Sequence, residues 1–403
     1  MQFTDIRITY GAYWTTPFVA WQGSFATQPP IPFAAEIARR GLAERKIPPE
    51  QIDGLCFGTT VPSKHSFYGA PWFAGLAGLG HVSGPTINQA CATSVRCLVQ
   101  AAQELATGGA TVYLAATADR TSNGPHLYYP NPGGPGGTGS PEDWVLDSFG
   151  HDPYAGGSML ATAEAVAQEA GISREAQEEL TLLRYAQYRQ ATEGNDAFLD
   201  RYMLRPIELR GPGGRKVVGT VTGDEGVFPT TAEGLARLRP VVEGGSVTFG
   251  VQTHPADGNA AMILAAGADR VRGLSGDPGI EVRLCSFGQA RVGRGRMPMA
   301  VAPAAREALT RAGIGVDDLA SVTPHNPFAV NDVYLGRTLG IAPDRMNRNG
   351  CSLVWGHPQG PTGMRSIIEL IEDLVQCGGG YGLFTGCAAG DSAAAIVLRV
   401  DTP

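Results

Sequence analysis

Apolar positions along the chain fall into two kinds of run. Residues 33 to 46, FAAEIARRGLAERK, carry apolar side chains at helical spacing. IDGLCFGTTV at 52 to 61 follows as a nearly continuous apolar stretch, which predicts a buried strand. After Cys91, the residues Val95, Leu98, Val99, Ala102 and Leu105 share one helical face, and Gly108 and Gly109 stop the helix. ATVYLAATA at 110 to 118 then predicts a second strand. Helices alternating with short apolar strands predict an α/β sheet whose faces are covered.

The pattern returns near the other end. TGMRSIIELIEDLVQCGGGYGLFTGCAAG, 362 to 390, predicts a helix stopped by glycines and then an apolar strand. A shift of about 270 residues lays Gly378 and Gly379 over Gly108 and Gly109, and Leu383 over Tyr113, so the chain reads as a duplicated α/β unit. Between the halves the pattern changes. PNPGGPGGTGSPEDW (130 to 144) predicts a loop, and SREAQEELTLLRYAQYRQA (173 to 191) a long amphipathic helix capped by serine. RGPGGRKVVGTVTGDEG (210 to 226) reads as a hairpin or a mobile loop. An insertion of this kind commonly carries substrate-binding elements.

Composition narrows the class. A chain of 403 residues exceeds one ordinary core and predicts two or three domains. Hydrophobic content of 43 % and a charged fraction of 17 % are those of a water-soluble globular protein. The net charge of −7 with no basic cluster argues against nucleic acid as the partner. No run reaches the ~18 apolar residues of a membrane span. The first residues show no secretory pattern and the last no lipidation signal. Seven scattered cysteines, none in a pair or cluster with zinc spacing, predict no metal site and a reducing, cytoplasmic setting.

Four polar stretches interrupt elements that are otherwise core. NQACATS puts Cys91 at a helix start, where unpaired N–H groups and the helix dipole favour a thiolate. TPHNPFAVND puts His325 and Asn326 before a helix opened by a proline. GHPQGPTGMR puts His357 in a glycine-lined turn, and TGCAAGDS puts Cys387 at the end of a strand. Turns beyond strand ends and helix N-termini are where α/β sheets bind ligands.

Together these stretches resemble the thiolase family. That family carries a nucleophilic cysteine at a helix start, N-E-A-F or H-x-x-F, G-H-P-x-G-x-[ST]-G, and C-x-G-G-G. Here they stand in that order as NQACATS, HNPF, GHPQGPTG and CAAGD, and TSNGPH, GISREAQEELTLLR and PTTAEGLARLRPVVEGGSVTFG also look like thiolase segments. The resemblance implies two duplicated βαβαβαββ halves in a five-layered αβαβα arrangement with an inserted loop domain. The halves would be 1–118 with 249–272, and 273–403. The loop domain, 119–248, would hold coenzyme A and oligomer contacts. It implies CoA-dependent cleavage of a 3-oxoacyl-CoA, or the reverse Claisen condensation, through an acyl-Cys91 intermediate. No cofactor would be permanently bound, coenzyme A and acyl-CoA being substrates, and the chain would form a homodimer or homotetramer.

Carried onto this chain, the resemblance makes His357 the base for Cys91 and Cys387 the acid–base at the α-carbon. One oxyanion site would use His357 with His325, directly or through a water; the other would use backbone N–H groups at Cys91 and around Ala389 and Gly390. Thr253, Phe328 and Asn326 would meet the substrate or its pantetheine. The departures are His325, Asn326 and Pro327 for the commoner asparagine, glutamate and alanine, and Ala389 and Asp391 for glycines. Ala389 would narrow the site, and Asp391 would bear on its electrostatics. Histidine in H-x-x-F also occurs in relatives that take bulky acyl chains, and in some that work with a small zinc-ribbon protein. The competing readings are a condensing synthase of secondary metabolism and a silent acyl-CoA- or lipid-binding scaffold.

Overall fold

Prolines at 30 and 32 open the first long helix, α1 (Pro30–Glu44), ahead of the apolar spacing, because a first turn needs no N–H donors. The computed structural model describes residues 1–193, 197–211 and 215–403. Eight strands carry its main sheet: β1 (Ile6–Thr15), β2 (Gly54–Gly58), β3 (Val112–Arg120), β4 (Ala256–Ala266), β5 (Glu281–Arg291), β6 (Leu319–Val322), β7 (Gly380–Ala388) and β8 (Ser392–Asp401). They run β6-β7-β8-β5-β1-β4-β3-β2 across the sheet, with Thr86–Ile87 at the β2 edge and Val19–Ala20 beside β4.

That order is its own mirror. β2 and β3 pair in parallel, as β6 and β7 do, and every other main pair is antiparallel. The halves meet where β1 touches β5, through Arg7 opposite Arg283 and Ile8 opposite Val282. The repeated helices are α2 (Thr93–Thr107) and α6 (Gly360–Gln376). Left-handed glycines end both units, Gly108 at φ 75° and Gly378 at φ 81°. Between these helices in chain order come α3 (Arg174–Thr192), α4 (Val301–Ala312) and α5 (Ala329–Leu339).

Three apolar clusters define five layers. The central one joins Val95, Leu98 and Ala102 of α2 to Met364, Ile367 and Ile371 of α6 and to inward faces of both half-sheets. A second packs α1 on the outer face of the first half, and a third packs α4 and α5 on the outer face of the second. Both inner helices are thus shielded on two sides, and α6 has buried residues all round its first fifteen positions.

The insertion between β3 and β4 holds α3, whose Ser173 hydroxyl accepts from the N–H of Ala176 as its cap. The stretch 130 to 144 is not all loop. Ser140–Asp143 pairs with His126–Tyr129, an exposed arm whose polar, proline-containing sequence hides its pairing. The segment 210 to 226 is a hairpin, Ile207–Arg210 against Val217–Val221, with 212–214 outside the described residues. Arg365 of α6 clamps this insertion to the core. Its guanidinium makes two 2.7 Å bonds to Asp224 and lies 4.2 Å above the Trp355 ring, and Tyr188 of α3 donates to the same carboxylate at 2.9 Å. Losing one partner of so buried a pair costs about 3–5 kcal/mol.

β2 ends at Gly58, short of the expected boundary, because the chain turns to meet Asp119. That carboxylate, fully buried at the end of β3, accepts from the N–H groups of Thr60 (2.7 Å) and Val61 (3.0 Å) and the hydroxyls of Thr59 and Thr60. Its second oxygen also takes the N–H of Gly360, the first residue of α6, at 2.7 Å. Asp119→Asn presents an amide N–H₂ to at least one of these donors. It should cost ~1–3 kcal/mol in urea unfolding, the usual toll of a stranded buried group. Wild-type stability in this variant would mean that the joint is slack.

Candidate active site

Cys91 stands two residues before α2, in a turn closed by Thr93, whose hydroxyl accepts the N–H of Gln89 and donates to the carbonyl of Ala90. Ala90 holds φ 46° and Gln359, across the gap, φ 58°, a left-handed region that side chains seldom occupy. These turns aim two side chains at one point. Cys91 Sγ lies 3.2 Å from His357 Nε2 and 3.3 Å from Gln359 Oε1. His357 Nδ1 sits 2.6 Å from the Thr362 hydroxyl; with Nδ1–H donating there, Nε2 is left to accept the thiol proton.

His325 packs its ring 4.3 Å from that of His357, centroid to centroid, and is 1 % exposed. Behind it, Ser352 Oγ is 2.9 Å from His325 Nδ1 and 3.1 Å from Asn326 Oδ1. The Asn326 amide N–H₂ goes to Asp332 (2.9 Å) and the Cys351 sulfur (3.2 Å). Asp332 is in turn paired with the buried guanidinium of Arg184. Cys387 is buried, and the Asn331 amide donates to its sulfur at 3.3 Å.

Over Cys91 opens a cavity of about 390 Å³, mostly apolar, reached by His357, Gln359, Thr253, Phe328 and Ala389. Its far wall comes from the insertion: Trp144, Val145, Phe149, Met159 and Leu160. Burial governs the titration here. It pushes Cys91 up to about 11, while the N–H groups of Ala389 and Cys91 itself, facing the sulfur, pull the other way. It holds His325 down at about 3, and pushes His357 well below the usual imidazole range, with His325 adding to the effect. Cys387 is raised by burial and then by the neighbouring Cys91.

Residues 12–268 match the thiolase N-terminal domain and residues 279–400 the thiolase C-terminal domain. The chain belongs to the thiolase family. It is 29 % identical over 385 residues to the beta-ketothiolase BktB of Cupriavidus necator, covering 94 % of this chain and 95 % of that one. It is 32 % identical over 377 residues to a 3-ketoacyl-CoA thiolase of Pseudoalteromonas translucida, covering 90 % of each. Human mitochondrial 3-ketoacyl-CoA thiolase, solved with CoA, superposes at a TM-score of 0.87 with 27 % identity, over 98 % of this chain and 97 % of that one. The five-layered thiolase fold expected from the sequence is the fold observed, and this thiolase is an acyltransferase enzyme.

Within it, Cys91, His357, His325 and Ala389 converge, with Cys387 close enough to feel the Cys91 charge. Gly390 follows Ala389 at φ 82°, its carbonyl accepting from Arg291 at 3.2 Å. Four expectations change. Asn326 does not reach the cavity: it is fully buried, with its side chain spent on Asp332, Cys351 and Ser352. Asp391 turns away from Cys91, its carboxylate accepting the N–H groups of Gly295 and Arg296. The Thr253 hydroxyl lines the cavity but already donates to the Ser352 carbonyl. The helix after HNPF begins at Ala329, two residues beyond the proline. Gln359, Thr362, Ser352 and Asn331 escaped the sequence reading; Gln359 and Thr362, inside GHPQGPTG, and Asn331, inside TPHNPFAVND, stood in stretches it singled out for other side chains, and Ser352 in none.

The helix terminus therefore does not make Cys91 a resting thiolate; burial outweighs it. A thiol with its pKa raised to about 11 gains thiolate roughly tenfold per pH unit through neutrality. Iodoacetamide labelling of Cys91 in the substrate-free enzyme, followed by peptide mass spectrometry, should climb steadily from pH 7 to 9. A plateau near pH 7 would instead indicate a resting thiolate–imidazolium pair.

Proposed function

We propose that this thiolase cleaves a 3-oxoacyl-CoA with coenzyme A, or runs the reverse condensation, through an acyl group carried on Cys91. The observation that carries the reading is the 3.2 Å contact between Cys91 Sγ and the accepting Nε2 of His357, at the foot of an apolar cavity. The thiol and imidazole are both neutral at rest, so the thiolate arises only as its proton crosses to His357. It attacks the 3-oxo carbon, and the new oxyanion takes the N–H groups of Cys91 and Ala389. Collapse breaks the C2–C3 bond, and the electron pair leaves on the acetyl-CoA enolate.

The enolate oxygen is held by the Nε2–H that His357 has just gained, with His325 acting through a water. Cys387 delivers its proton to the α-carbon and is left as thiolate. Incoming coenzyme A returns a proton to Cys387 and attacks the acyl-Cys91 carbon; Cys91 departs and takes its proton back from His357. Asn331, donating to the Cys387 sulfur, steadies it while it carries charge. Trp144, Phe149 and Leu160 give the cavity an apolar wall that suits an alkyl or aryl acyl chain. A panel of short, branched and aromatic 3-oxoacyl-CoA thioesters should show CoA-dependent cleavage of at least one. Cleavage of none, with no acyl group found on Cys91, would refute the reading.

A homo-oligomer is the reading that one edge of the sheet supports. Phe67 is 94 % exposed beside Tyr68, and the edge strand Thr86–Ile87 lies next to them with a free side. A second copy of the chain suits this edge.

Cys387 separates the half-reactions. Acylation of Cys91 by acetyl-CoA moves no proton at carbon, whereas carbon–carbon cleavage does. Cys387→Ala should therefore lose ~10²–10⁴-fold in thiolysis while Cys91 still acylates at a rate near wild type. Thiolysis within a few-fold of wild type would leave Cys387 as packing alone.

A further inference from the structure

The same three residues hold a second chemistry that acyl transfer leaves unused. The ligand atoms of Cys91, His325 and His357 all lie within 4.8 Å of one another. The hydrogen-bond network then fixes what each one presents. Asn326 turns its N–H₂ to Asp332 and Cys351, so its Oδ1 faces Ser352 and receives that hydroxyl's only hydrogen at 3.1 Å. Ser352 must in turn accept from His325, which places the ring proton on Nδ1. The His325 Nε2 is thus a bare lone pair. It is buried, has no hydrogen-bond partner among the described residues, and its ring packs on that of His357. His357, with Nδ1 against Thr362, presents Nε2 the same way.

Two neutral imidazole lone pairs beside a thiol form the donor set of a borderline-soft cation. Zn–S bonds of about 2.3 Å and Zn–N bonds of about 2.0–2.1 Å in a tetrahedron put the donors about 3.3–3.6 Å apart. The 3.2 Å between Sγ and the His357 Nε2 is a few tenths of an ångström short of that spacing, and the third donor lies within 4.8 Å, so side-chain rotation is needed to seat all three. Each imidazole is braced at Nδ1 by a hydroxyl, the outer-shell support that metal-binding histidines use. The fourth position faces the cavity, where a water or the Gln359 carboxamide oxygen, 3.3 Å from Sγ, can complete it.

We propose that Cys91, His325 and His357 bind one Zn²⁺ ion that reversibly closes the reaction centre. One Zn–S and two Zn–N bonds form, the thiol proton passes to solvent, and nothing is oxidised or reduced. The bound ion occupies the sulfur that would attack and the lone pair that would take its proton, so the metal form is silent. It also shields Cys91 from alkylation and oxidation.

Cobalt titration of the chelator-treated enzyme tests this without reference to acyl transfer. One Co²⁺ per chain should give a thiolate-to-cobalt charge-transfer band and the intense visible bands of a tetrahedral site. Zn²⁺ should then displace it and quench both. Cys91→Ser and His325→Asn should each abolish the bands and weaken Zn²⁺ binding beyond the ~100-fold that losing an outer-shell partner costs. Cys377→Ser, which removes an exposed cysteine, should change neither. Bands that persist in Cys91→Ser or His325→Asn, bands that vanish in Cys377→Ser, or no stoichiometric binding to wild type would each overturn the proposal.

Discussion

Asp119 sits at the end of a fully buried strand and accepts hydrogen bonds from both halves of the molecule at once. Thr59, Thr60 and Val61 reach it from the first half and the N–H of Gly360 from the second. Burial raises its pKa to about 6, so keeping the charge is unfavourable except for these donors. The tie fixes where α6 begins, and therefore where Gln359 and His357 stand relative to Cys91. The 3.2 Å contact between Cys91 and His357 is a downstream result of that seating.

The centre is electrically quiet at rest. Burial makes the charged forms of Cys91, His325 and His357 all less favourable. In the proposed mechanism charge arises only in passing, and the groups that would meet it are fixed dipoles, chiefly the N–H groups at Cys91 and Ala389. A site built this way is selective by desolvation. Both proposals, the thioester and the cation, ask such a site to trade water or a proton for the incoming group.

Much of this was legible in the sequence. Helical spacing after Cys91, the double glycine stops and the repeat at about 270 residues disclosed the inner helices and the duplicated sheet. The motifs around Cys91, His357 and Cys387 marked the turns that meet. What stayed hidden depends on contacts between distant segments. Ser352 matters because it lies under His325, and Asn331 because it faces Cys387; neither has a local pattern to betray it. Asn326 looked like a cavity residue from its place in HNPF, but the buried Arg184–Asp332 pair draws its amide inward. For Cys91 the helix start is visible in sequence, whereas the depth of the pocket that raises its thiol is not.

The twofold repeat leaves a mark on how the molecule can move. Cys91 and His357 stand ahead of equivalent helices, one from each half, and the ladder between β1 and β5 has two register pairs. The sulfur-to-nitrogen gap therefore works as a gauge of how the two units are docked. A slip of half an ångström between them, too small to unfold anything, would be felt first as lost proton transfer. Selection on turnover is then also selection on the fit between the copies, which ties the shared layer of α2 and α6 to chemistry although none of its apolar side chains reaches a substrate.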